Sequence, residues 1–432
     1  MFKLLKDSFK VKNIRNKILF TLLILFAFRV GAHVTVPGVD AKALLELNKL
    51  AIVAMFNTVS GNAMENFSIF AMGVSPYITA SIIIQLLQMD IVPKFVEWSK
   101  QGEVGRRKLN QWTRYLTLVL GFVQSIAITA GFNHFTGAGL VKTPNVTTYV
   151  TIGLILTAGT MFVTWMGEQI SEYGIGNGVS MIIFAGIVAR FPTSVKEIYE
   201  QLFVNIGSDE MLKSIVLCVV LVIAILIVVT LVTYVQQAER KIPIQYTKRV
   251  AGAPQSSYLP LKVNAAGVIP VIFASSLIAT PQAFLSAFQT SQGGKGWYEI
   301  VTQIFNYTTI PGGIVYTILI IAFTFFYAFV QVNPEKVAEN LQKQGSYIPS
   351  VRPGKDTETY ISQLLMKLST VGSVFLGLVA ILPIIASNVW NLPTSIGLGG
   401  TSLLIVISVA LETNKQLEGL LLKRQYTGFI RE

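Results

Sequence analysis

The sequence predicts an all-α integral membrane protein: ten transmembrane helices in two inverted halves. Three observations predict this. Hydrophobic residues make up 52% of the 432 and charged residues only 13%, with a mean hydropathy of +0.59. An average soluble domain carries roughly 25% charged residues. A soluble globule of this size would lack polar surface, and a disordered chain would lack this much apolar content. Second, ten apolar stretches recur, most near the ~20 residues a helix needs to cross lipid. Third, the 34 Lys and Arg, which leave a net charge of +12, are unevenly spread between alternate loops.

The first span is expected at 18–37, behind the basic run Lys3, Lys6, Lys10, Lys12, Arg15 and Lys17. This outline is shared with signal peptides. No small-residue cleavage site follows, and many more apolar segments do, so the segment is read as a retained span. The segment 53–70 contains Gly61, Asn62, Glu65 and Asn66. It is too polar to cross lipid alone and is read as re-entrant, sheltered by protein. Spans two to five follow at 73–92, 114–134, 148–168 and 177–192, and spans six to ten at 213–235, 264–288, 311–331, 367–387 and 400–418. The link 193–212, behind Pro192 and containing Gly207, Ser208, Asp209 and Glu210, divides the chain. Residues 1–200 form an N-terminal half and 201–432 a C-terminal half. Five spans per half place the halves in opposite orientations, which permits an inverted repeat with a central site.

With both termini in the cytoplasm, 26 Lys and Arg fall on the cytoplasmic side and 7 outside, Arg29 lying within span one. That bias is the one expected of membrane topology. Two cytoplasmic loops, 236–262 and 333–366, are longer than topology requires. Three readings of their basic residues stay open: a topology signal, contact with anionic lipid, and docking of a large acidic partner.

Several function classes lack their residues. The chain has no GxxxxGK[ST], HExxH or GxSxG motif, so no enzymatic role and no cofactor is expected. His33 and His134 stand apart without clustered acids or cysteines, and Cys218 is the sole cysteine, so neither a metal site nor a disulfide is expected. No series of Asp, Glu and His runs through the spans, which argues against an ion-coupled pump.

Helix breaks are more informative. Gly73 and Pro76 open span two, Gly174, Gly176 and Gly178 open span five, Pro270 sits in span seven, and Gly397, Gly399 and Gly400 precede span ten. They mark either ordinary membrane-helix usage or spans that hinge around a cavity. Val74 and Ile78 share one helix face, as do Val179 and Ile183. Such pairs serve either as lipid-facing packing or as a dewetted apolar constriction.

At these residues the chain resembles the SecY family, the channel subunits of bacterial protein translocases. The matching stretches are 73–90 (GVSPYITASIIIQLLQMD), 100–108 (KQGEVGRRK), 167–188 (GEQISEYGIGNGVSMIIFAGIV), 259–270 (LPLKVNAAGVIP), 333–354 (NPEKVAENLQKQGSYIPSVRPG) and 399–406 (GGTSLLIV). The resemblance implies ten helices in two halves around an hourglass pore. It implies a neck of Val74, Ile78, Val179, Ile183, Ile272 and Ile405, with valine at 74 and 179 where isoleucine is common in the family. It implies a plug over 55–67, including Met55, Phe56, Asn57, Gly61 and Phe67, with Ala54 where some relatives carry an acid. Spans two and seven are implied to form a lateral gate, across which Thr79, Gln85 and Asn264 would hydrogen-bond.

The resemblance further implies docking of the ribosome and the motor ATPase SecA at Arg240, Lys241, Lys248, Arg249, Arg352 and Lys355. Small partners, SecE and SecG, are implied with them. The function implied is passage of unfolded preproteins across the bacterial cytoplasmic membrane, with recognition of signal peptides and lateral release of apolar segments into membrane lipid. A small-solute transporter and a membrane scaffold are the competing classes; the first predicts saturable ion-coupled uptake, the second no conductance in any variant.

Overall fold

The structure, a computed structural model, describes residues 2–40, 60, 63–89, 91–135, 139–204, 211–246, 256–292, 296–306, 309–390 and 399–428. Each expected span corresponds to a helix. They run Lys12–Gly31, Ser75–Leu87, Glu103–Phe135, Val146–Tyr173, Gly178–Phe203, Met211–Gln237, Ile269–Gln292, Ile310–Gln331, Lys355–Trp390 and Gly399–Gly428. Among the described residues, six helices are long and apolar enough to cross a membrane, namely spans three to six, eight and nine; spans two and seven are shorter apolar helices.

The ends differ from the hydropathy reading for identifiable reasons. Span one stops at Gly31 rather than 37, because the chain turns at His33 and Val34 and then takes a left-handed step at Gly38, φ +92°. Spans three and nine begin at Glu103 and Lys355, well before their apolar cores. Polar turns extend a helix without entering lipid, so hydropathy does not register them. Span five runs through Pro192 to Phe203, so the link expected from 193 is helical to that point. Past the proline, Lys196 pairs with Glu200 at 3.5 Å and Tyr199 stacks on Phe203, both at helical i, i+4 spacing.

Span two spans only 13 residues, about 20 Å of helix against a hydrocarbon core of ~30 Å. The missing length is supplied by 63–74, a run of turns buried at nearly every position. It rests on the exit from span one: Val36 N–H donates to Phe67 O and Ile69 N–H to Val34 O, each at 3.0 Å. Two glycines allow this approach. A Cβ at Gly31 would overlap the Phe70 ring, and one at Gly159 of span four would overlap the Ile69 carbonyl. The described part of the polar segment, 63–70, is thus packed against protein.

The two long loops are folded, and folded together. Residues Glu239–Tyr246 (β1) pair antiparallel with Ser256–Lys262 (β2), Glu239 opposite Lys262 and Gln245 opposite Ser256. Ser346–Tyr347 (β3) from the second loop pairs with Tyr246 and Gln245, giving the order β2-β1-β3. Ile242 and Ile244 alternate inward along β1 and pack with Leu261, Leu341, Ile348 and Ile361. Pro243 is accommodated because β3 pairs beyond it, and Pro260 because β2 is an edge strand.

Candidate functional site

The expected neck residues all lie in or against the central apolar core, which draws side chains from every span. Val74, Ile78, Ile183, Ile272 and Ile405 are buried members of one central apolar cluster, and Val179 packs on it partly buried. They come from spans two, five, seven and ten. Met64 and Phe67 of the re-entrant segment join the same cluster. Phe67 is fully buried at φ +41°, a left-handed backbone uncommon outside glycine. Met55, Phe56, Asn57 and Gly61 lie outside the described residues, as does Ala54. At the outer end of span one, Arg29 lies within electrostatic reach of Glu65 in this segment.

The seam between spans two and seven is polar at one point. Thr79 and Thr280 bring their hydroxyls to 3.4 Å, and Gln124 of span three donates to Thr280 Oγ1 at 3.2 Å. Each hydroxyl carries one proton, so whichever donates across the pair forgoes the carbonyl one turn back on its own helix, Ser75 O for Thr79 or Ser276 O for Thr280. Of the three residues expected at the seam, Thr79 lies in contact with span seven, at Thr280. Gln85 instead donates to Ser81 on its own helix, and Asn264 donates to Gly267 O at 2.9 Å within the turn before span seven. The side-chain oxygens, Gln85 Oε1 and Asn264 Oδ1, are buried and meet no partner among the described residues. Thr280 and Gln124 escaped the sequence reading. The recurrence of Ser276 and Thr280 at i, i+4 on span seven was the available signal.

The basic face is built on the folded loops. Arg240 and Lys241 are exposed on β1, and the Lys241 ammonium sits 5.2 Å from the Tyr258 ring centre across the strand pair. Arg352 and Lys355 are exposed where the second loop enters span nine, and Thr357 Oγ1 donates to Arg352 O at 2.8 Å. Because β3 joins the hairpin, these side chains belong to one body. Lys248 and Arg249 lie outside the described residues. Nearby, Lys343 at a helix end lowers the carboxyl pKa of Glu339 by hydrogen bonding and charge. Among the described residues no cluster of His, Cys, Asp or Glu suits a metal ion.

Glu168, at the end of span four, is engaged by Arg114 of span three in two bonds of 3.0 and 2.6 Å. It therefore serves packing within the first half.

The chain is similar to known proteins. A protein translocase subunit SecY 1 of Lactobacillus kefiranofaciens is 62% identical over 431 residues, covering all of both chains. A protein translocase subunit SecY of Bacillus subtilis is 54% identical over 435 residues, again covering both chains fully. Among solved structures, a protein-conducting channel superposes with a TM-score of 0.62 at 20% identity, covering 93% of this chain and 91% of that one. Sec61 in the canine ribosome-channel complex superposes with a TM-score of 0.60 at 19% identity, with the same coverage. The SecY family model matches residues 68–414, and the chain belongs to the SecY family.

Proposed function

We propose that the chain is the central subunit of a protein-conducting channel. Unfolded secretory proteins pass through a neck of Val74, Ile78, Val179, Ile183, Ile272 and Ile405. Apolar segments leave sideways into lipid between spans two and seven. What supports this reading is that those six side chains, from four spans, all lie in or against the central apolar core. Aliphatic side chains make a soft seal. They deform around any passing side chain and bind none, while a dewetted neck excludes ions at rest.

The re-entrant segment 53–70 acts as the plug, supported by Met64 and Phe67 packing into the same cluster. The halves 1–200 and 201–432 move apart about the link between spans five and six. The channel itself hydrolyses nothing; a motor ATPase of the SecA type or a translating ribosome supplies the work. Both dock on the basic face at Arg240, Lys241, Lys248, Arg249, Arg352 and Lys355. Exposure of Arg240, Lys241, Arg352 and Lys355 on one folded body supports this, and the likeness to Sec61 in a ribosome complex agrees with it. SecE and SecG complete the assembly in the bacterial cytoplasmic membrane, with both termini in the cytoplasm.

Reconstitution with SecE, SecA and ATP tests this reading. A signal-bearing precursor should become protease-protected inside the vesicles, and Arg352→Glu should abolish protection. Protection in neither, with all partners present, would contradict a protein channel; saturable uptake of a small solute would replace it.

A further inference from the structure

We propose that Gln416 is a positioning residue that clasps the turn between spans four and five against span ten and so sets the resting width of the neck. The turn 174–177 presents two successive backbone N–H groups outward. Ile175 N–H donates to Thr21 Oγ1 of span one at 3.1 Å, and Gly176 N–H donates to Gln416 Oε1 of span ten at 2.8 Å. One turn is therefore held from both halves of the chain.

Its shape is specified. Gly176 has φ +87°, and a Cβ there would lie 3.1 Å from Met181 Cγ and 3.4 Å from Thr413 Oγ1. Only glycine meets both demands cheaply. Around the clasp, Ile175 packs with Ile14 and Leu417, and Thr413 Oγ1 lies 3.7 Å from Met181 Sδ. Thr413 and Gln416 are three residues apart and share a helix face. Asn177 caps span five, accepting from Ser180 N–H at 3.3 Å.

The clasp joins two helices that also carry neck residues. Val179 and Ile183 lie in the first two turns of span five. On span ten, Ile405 and Gln416 are eleven residues apart, about three turns, which returns them to the same face ~16 Å apart along the axis. Spans five and ten cannot part at the neck without straining or releasing the bond below it. Gln416 is exposed, so water replaces the bond once it breaks, and release is reversible.

This inference rests on the neck reading, and the test separates the two. Idle ion leak is measured in vesicles holding the complete complex with Gln416→Leu, Gln416→Glu or Ile183→Gly. Losing one hydrogen bond should raise the leak of Gln416→Leu about fivefold, while Gln416→Glu, which keeps an acceptor oxygen, should stay within about twofold of the parent. Leak from Ile183→Gly with none from Gln416→Leu would overturn the clasp and leave the neck standing. Equal leak from both Gln416 variants would overturn the acceptor role. Silence in all three would overturn clasp and neck together.

Discussion

Hydrogen bonds within one half of the molecule differ in kind from those that cross between halves. Within the first half some of them commit buried backbone N–H groups. Asn133 Oδ1 accepts from Val141 N–H, and Thr21 accepts from the Ile175 N–H. Breaking such a contact strands a buried group, at a cost of about 1–3 kcal/mol. The crossing bonds have alternatives. When Thr79 and Thr280 separate, each hydroxyl can donate to the carbonyl one turn back on its own helix. When Gln416 leaves Gly176, water takes its place. Interhelical polar contacts in membranes average only ~0.6 kcal/mol, and the threonine pair and the Gln416 bond are each backed by a fallback. A channel whose halves must part repeatedly needs contacts that orient without trapping.

Four substitutions test this difference. The largest effect is expected from Gly159→Leu, which drives a side chain into the Ile69 carbonyl. Overpacking of this kind costs about 1–3 kcal/mol or more, read as a lower unfolding midpoint in detergent. Thr21→Val should destabilise by about 1–3 kcal/mol, because it orphans a buried N–H. By contrast, Thr79→Val should change the unfolding midpoint by less than about 1 kcal/mol. It should nevertheless increase translocation of precursors with weakened signals, since the closed seam loses a contact. Equal destabilisation by Thr21→Val and Thr79→Val would break the comparison.

Glu339→Gln should have the smallest effect. The Glu339 carboxyl is held below its ordinary range by Lys343. Its contribution is therefore present above the ordinary carboxylate range and lost as pH falls through the lowered value. The pair is solvent-exposed, so the unfolding midpoints of Glu339→Gln and the parent should coincide at neutral pH. A measurable loss at pH 7 would assign the pair a larger role in the docking face.

Much of this was legible in the sequence because apolar length is a strong signal. All ten stretches overlap helices. Helix ends were less legible. Glu103 and Lys355 begin long spans in polar turns that hydropathy does not register, and the helix passes Pro192 on the strength of contacts beyond it. The sheet was hidden because Ile242 and Ile244 alone give too short an alternation. Seam partners were hardest. Gln85 and Asn264 have the right polarity, but their amide nitrogens bond local neighbours and their buried oxygens meet no partner among the described residues, whereas Thr280 and Gln124 meet only in three dimensions.

The most direct test of the central claim is the conductance of the idle channel in planar bilayers, comparing the parent with the double variant Ile78→Gly, Ile183→Gly. A soft apolar neck predicts a silent parent and a variant that passes ions without any precursor present. A variant as silent as the parent would contradict the neck, and with it the account of how this chain conducts protein while holding back ions.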